Sequence, residues 1–185
     1  MGKISDGLDR AVENTLTRPI PKSAGARMRF LVKVENGSTR AVAARLGVSQ
    51  RTVQRYLTGE RKHPTRAVAR RLEAEVRKEW QPRVRARAQR QAATTTGIAV
   101  ETRARFGFTA APGSTDDPRM RRITELLPPA YAERLFEAHR EGRSERQLEA
   151  IVAEGLQEKY FKDSGRRAAG LTVELTGLDY IELEY

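Results

Sequence analysis

The chain has 185 residues, 35 Lys and Arg against 24 Asp and Glu, a formal net charge of +11 and no cysteine. This length suits one large or two small domains. Without cysteine there is neither a disulfide framework nor thiolate chemistry, and no apolar run approaches the ~20 residues that span a bilayer. Residues 1–7 lack the apolar core of a signal peptide, so a cytoplasmic protein is expected. The charge is uneven: residues 1–92 hold 22 Lys and Arg against 8 Asp and Glu, and residues 93–185 hold 13 against 16. The basic half calls for an anionic partner bound in a salt-sensitive way; the near-neutral half is expected to have a separate task.

In chain order, Leu8, Val12 and Leu16 at spacing four predict a short helix over 5–16, broken by Pro19 and Pro21. Met28, Leu31 and Val32 predict a helix over 24–35, stopped at Asn36-Gly37. The segment 38–57 reads as a helix-turn-helix. Val42, Ala43 and Leu46 form an apolar face on its first helix, with Ala43 small where the second must cross. Gly47 suits the positive φ of the tight turn, Val48 plugs the corner, and Ser49 caps the second helix. Val53, Tyr56 and Leu57 return to the core, which leaves Gln50, Arg51, Gln54 and Arg55 outward. Arginine matches guanine and glutamine matches adenine in the major groove, so this face predicts DNA reading. Ser49, Thr52, Arg40, Arg45, Arg61 and Lys62 complete the expected contact set.

Gly59 ends the recognition helix, and His63-Pro64-Thr65 opens another with Pro64 in its first turn. Trp80-Gln81-Pro82 interrupts it. Arg83, Arg85, Arg87 and Arg90 follow, spread around a helix rather than on one face; they form either a solvated segment or an arm along phosphates. Residues 93–97 read as a linker, which divides the chain into a DNA-binding domain 1–92 and an α+β domain 93–185. Alternation from Ile98 to Phe108 predicts a strand with a partly basic face. Residues 111–118 read as a loop, with Asp117-Pro118 opening a helix over 118–126; helices follow over 129–141 and 144–160, the last capped at Ser144. A C-terminal hairpin is predicted from Leu171, Val173 and Leu175, a turn at Gly177-Leu178-Asp179, then Ile181, Leu183 and Tyr185. A lone hairpin is marginal, so the 98–108 strand is expected to join it in a small antiparallel sheet. Glu174, Glu182 and Glu184 on its outer face serve either solubility or a basic partner.

No catalytic constellation is visible. His63 and His139 have no metal-site spacing, and no phosphate-binding glycine loop occurs. Asp116-Asp117 could hold a divalent ion, although capping the following helix fits them better. Neither a cofactor nor a metal is expected.

Over its full length the chain resembles the telomere terminal proteins (Tpg) of Streptomyces linear chromosomes and plasmids. The resemblance is most specific over Lys3-Ile4-Ser5-Asp6-Gly7-Leu8, Gly25-Ala26-Arg27-Met28-Arg29, the helix-turn-helix, and Arg119-Met120-Arg121-Arg122-Ile123-Thr124. It implies a protein at chromosome ends in the nucleoid, joined covalently to 5′ DNA ends, whose hydroxyl accepts the first deoxynucleotide from a DNA polymerase. Such a chain is a primer and not an enzyme. Telomeric DNA, a telomere-associated protein, the polymerase and self-association are the implied partners. The resemblance implies a threonine in the central segment as the priming residue, which points to Thr115, then Ser114, with Thr94, Thr95 and Thr96 as a rival cluster. A helix-turn-helix transcription regulator and a nucleoid-associated DNA-binding protein are the alternatives that the residues leave open.

Overall fold

A computed structural model describes residues 2–109, 119–162 and 172–185. The elements run α1 (Lys3–Asn14), α2 (Ala24–Val34), α3 (Thr39–Leu46), α4 (Gln50–Leu57), α5 (Arg66–Glu79), α6 (Pro82–Gln91), β1 (Ile98–Thr109), β2 (Arg119–Leu127), α7 (Pro129–Arg140), α8 (Glu145–Leu156) and β3 (Thr172–Glu184). The class is α+β. The chain forms two compact units: Thr17–Pro82, and Met1–Leu16 together with Arg83–Tyr185. The division therefore falls at Pro82, not at residue 92, and the first helix belongs with the C-terminal part. The reason is apolar burial: Ile4, Leu8 and Ala11 of α1 are buried in the same core as the sheet.

The unit Thr17–Pro82 is all helical. Met28 and Leu31 of α2, Val42 and Leu46 of α3, Val53 and Tyr56 of α4, and Leu72 and Val76 of α5 form its core. Each helix start is built from a local cap. Ser23, Ser38 and Thr65 accept the N–H of Ala26, Ala41 and Val68, at 3.2, 3.1 and 3.5 Å. Thr65 is the cap of α5, so Pro64 lies just outside the helix, where its fixed φ and missing N–H cost nothing. The stop at Asn36-Gly37 uses φ of 52° and 88°.

In the other unit, β1 is the central strand of a three-stranded antiparallel sheet, order β2-β1-β3. Ile98 pairs with Leu127, and Ala99 pairs with Glu184. One face carries Val100, Ala104, Ile123, Leu127, Ile181 and Leu183 into a core closed by α1, α7 and α8. Two sequence expectations change here. Residues 119–127 form a strand where a helix over 118–126 was expected: Ile123 and Leu127 are four apart, a spacing that shares a face in either geometry, and pairing with β1 decides it. The C-terminal residues form one strand, not a hairpin. Opposite β1 the register skips Asp179 and Thr176, so Gly177-Leu178-Asp179 is absorbed as bulges and does not turn the chain. Thr102, fully buried, donates its hydroxyl to Tyr180 O at 2.9 Å beside the first bulge.

The expected linker 93–97 is instead a π-helical turn over Ala92–Thr96 with Ala92 buried, followed by Gly97 at φ 77°. A Cβ on Gly97 would lie 2.1 Å from Leu127 O. Ser144 caps α8 through a capping box with Gln147, whose side chain accepts the Ser144 N–H at 2.9 Å.

Candidate DNA-binding surface

The turn between α3 and α4 consists of Gly47, Val48 and Ser49. Gly47 takes φ 64°, and the N–H groups of Gly47 and Val48 close onto Ala44 O and Ala43 O at 3.2 and 3.0 Å. Arg71 of α5 reaches across and donates to Leu46 O at 3.1 Å, satisfying a terminal carbonyl of α3. Glycine is required here for φ; a Cβ on Gly47 would also sit 2.6 Å from that guanidinium and displace the flexible Arg71 side chain from its carbonyl. Ser49 then starts α4 by accepting the Thr52 N–H at 3.2 Å. Gln50 Nε2 donates to Thr39 Oγ1 at 2.8 Å, tying the first residues of the two helices together.

With Val53 and Tyr56 buried, Gln50, Arg51, Gln54 and Arg55 are exposed along α4. Ser49 is exposed at its start and Thr52 half-buried beside it. The predicted face is thus assembled, but its members differ in freedom. Arg55 is paired with Glu60, its Nε at 2.8 Å and its Nη2 at 2.7 Å from Oε1, which raises the guanidinium pKa further. Arg51 has no ion pair among the described residues. Arg40 is exposed on α3. Arg45 points elsewhere: it bonds Glu79 at 2.7 Å, Glu35 at 2.9 Å and Glu75, fastening α3 to α2 and α5. The hydrogen bonds that Arg45 donates to Glu79 and Glu75 push its pKa above the ordinary value, and the one to Glu75 lowers the pKa of that carboxyl.

The electrostatics of this unit follow from that bookkeeping of partners. It holds sixteen Lys and Arg and five Asp and Glu, the whole net charge of the chain, and the other unit balances nineteen with nineteen. All five carboxylates are engaged: Glu35, Glu75 and Glu79 on Arg45, Glu73 on Arg27 and Arg77, Glu60 on Arg55. Arg27, Arg45, Arg55, Arg77 and Lys78 are thus ion-paired, and the positive excess of the unit lies on its other cations. Four of them, Lys22, Arg29, Arg61 and Lys62, line one cleft of about 580 Å³ with no carboxylate in its wall. Arg61 also lies over the Tyr56 ring, 5.7 Å from its centroid. Arg61 and Lys62 were expected contacts. Lys22 and Arg29 were not, because only the packing of α2 beside the end of α4 brings them there: a Cβ on Gly25 would meet Tyr56 O at 3.3 Å. A concave wall of one sign concentrates field on an anion.

Thr115, Ser114, Asp116 and Asp117 lie outside the described residues. Thr94, Thr95 and Thr96 are exposed on the π turn, where Thr94 donates to Arg90 O at 2.9 Å. His139 contacts Ser5 Oγ at 3.2 Å and Asp9 at 3.6 Å. Among the described residues no group of His, Asp and Glu could hold a metal ion, and no helix is long and apolar enough to cross a membrane.

Residues 31–78 match the Helix-turn-helix family, spanning the end of α2 through nearly all of α5. The chain is therefore a DNA-binding protein of the helix-turn-helix class. No curated protein and no solved structure matches the chain.

Proposed function

We propose that this DNA-binding protein is a terminal protein of linear replicons, which primes completion of a DNA end with its own hydroxyl. The carrying observation is the sequence resemblance over Lys3–Leu8, Gly25–Arg29 and Arg119–Thr124, joined to a helix-turn-helix. The charge division supports it: one unit concentrates every excess cation, and the neutral unit is free for another task. Thr115 belongs to the segment joining the paired strands β1 and β2 of that neutral unit. The Thr115 hydroxyl attacks the α-phosphorus of a deoxynucleoside triphosphate. A Thr Oγ–P bond forms, the α–β phosphoanhydride bond breaks, and pyrophosphate leaves. The hydroxyl proton passes to a base on the polymerase, which also supplies the metal ions. The telomere-associated protein recruits the chain, and α4 holds it near the end to be copied.

Self-association on this reading uses the outer edge of β2, to which no other described backbone bonds. Antiparallel pairing of two copies centred on Ile123 sets Met120 against Leu126 and Arg121 against Glu125. Met120 and Leu126 are 44% and 57% exposed. A shift to Arg122 as centre sets like charges opposite each other.

The test is deoxynucleotidylation by the cognate polymerase. Thr115→Ala should abolish labelling, and Ser114→Ala should retain it. Full labelling of Thr115→Ala refutes the assignment to Thr115, and full labelling of the double variant refutes both candidates. The helix-turn-helix match fits a transcription regulator equally well. Genomic DNA extracted with and without protease separates the two, because only a terminal protein stays on the chromosome ends.

A further inference from the structure

Helix α6 carries four arginines and no carboxylate. Positions 83, 87 and 90 stand at i, i+4 and i+7, which places three of them on one stripe. Arg83, Arg87 and Arg90 are exposed; Val84, Ala88 and Gln89 on the other side are half-buried, and Ala92 just beyond is buried. Arg85 alone leaves the stripe, half-buried and acting electrostatically on Tyr185. The arginines therefore do form a face, against the sequence expectation.

This stripe differs from other cations of its unit. Arg103, Arg122, Arg134 and Arg143 each form an ion pair, with Asp179, Glu101, Glu154 and Glu141. Among the described residues Arg83, Arg87 and Arg90 have no side-chain partner. Because the unit balances nineteen cations with nineteen anions, the stripe is a local excess within a neutral body. Seven residues of helix span about 10.5 Å, close to three base-pair steps of duplex at 3.4 Å each. The guanidinium fork suits phosphate oxygens.

We propose that α6 is a second DNA contact, carried by the unit that lacks the helix-turn-helix. Arg83, Arg87 and Arg90 bind phosphates of the duplex backbone spread over about three base-pair steps, without reading sequence. Base reading and anchoring are thereby divided between the two units, and each contact raises the effective concentration of DNA at the other. The proposal rests on the reading of the helix-turn-helix unit as the part that selects the DNA.

The experiment measures affinity against salt for the full chain on its preferred duplex and on an unrelated duplex. Each phosphate contact contributes about 0.9 to the slope of log affinity against log salt, so Arg83→Gln/Arg87→Gln/Arg90→Gln should lower the slope by about 2.7. Between about 50 and 200 mM salt the unaltered chain then loses about 40-fold more affinity than the variant. The preference ratio between the duplexes stays the same. Arg→Lys at the three positions keeps the slope, and Arg134→Gln, which removes an ion-paired arginine, leaves it unchanged. An unchanged slope in the triple Gln variant overturns the proposal, as does an equal loss with Arg134→Gln. If the unaltered chain prefers no sequence, or Gln50→Ala/Gln54→Ala leaves its preference intact, the underlying reading of α4 fails instead.

Discussion

Replacing Gly47 by alanine isolates the turn on which presentation of α4 depends. A left-handed φ costs an L-residue about 1–2 kcal/mol, partly offset by about 0.4–1 kcal/mol from a stiffer unfolded chain. The new Cβ also evicts Arg71 from the Leu46 carbonyl, because it would lie 2.6 Å from the guanidinium. Losing that solvent-accessible hydrogen bond adds about 1 kcal/mol. Gly47→Ala should therefore cost about 2 kcal/mol. Gly59 is the internal control: its φ is 79° and a Cβ there meets nothing within 4 Å, so Gly59→Ala should cost only about 1 kcal/mol. The single tryptophan reads this unit alone, since Trp80 stacks edge-on against Phe30 at 4.7 Å. Urea unfolding followed by its fluorescence gives both values, and each kcal/mol is worth about 4–8 °C in Tm for a domain this size. In an Arg71→Ala background the two glycine substitutions should cost the same. Equal losses in the unaltered background would refute the Arg71 clamp; no loss at Gly47 would refute the turn geometry itself.

Further outcomes follow from the same geometry. Gln50→Ala and Gln54→Ala should each reduce affinity for the preferred duplex by about 1–3 kcal/mol while sparing unrelated DNA, measured by competitive binding. The carboxyl of Glu75 sits below its ordinary 4.5 because the fold favours the ionised form. Its contribution is complete above that pH and disappears as the pH falls, so acid should destabilise the helix-turn-helix unit, and Arg45→Met should flatten that dependence. Tyr185 is shifted the other way, to about 12 by burial from 10.0. Its contribution is present below pH 10 and is lost as the pH rises towards 12, which a phenolate absorbance titration beside circular dichroism would follow. Leu126→Lys should dissociate self-paired chains in sedimentation without altering Tm by more than about 0.5 kcal/mol equivalent, as the side chain is exposed.

What could be read in the sequence was what is local. The helix-turn-helix was legible because its signals at Gly47, Val48 and Ser49 act within four residues of themselves through a turn and a cap. The strand β1 was legible because its alternation runs unbroken. The identity of β2 was hidden, since Ile123 and Leu127 fit either period. The continuity of β3 was hidden as well: turn residues at 177–179 yield to a β1 strand long enough to pair across them. Long-range partners explain the remaining differences. Nothing near Arg45 reveals that Glu75 and Glu79, some thirty residues on, would draw it from the expected contact set. Nothing near Ile4 and Leu8 announces a sheet at the far end of the chain.

The account is tested most directly by mass spectrometry of peptides that remain linked to DNA ends after nuclease and protease digestion. It predicts a peptide spanning residues 110–118 with a deoxynucleoside monophosphate on Thr115. DNA ends that carry no peptide of this chain, in cells that express it, would contradict the account and leave a helix-turn-helix protein that binds DNA without being joined to it.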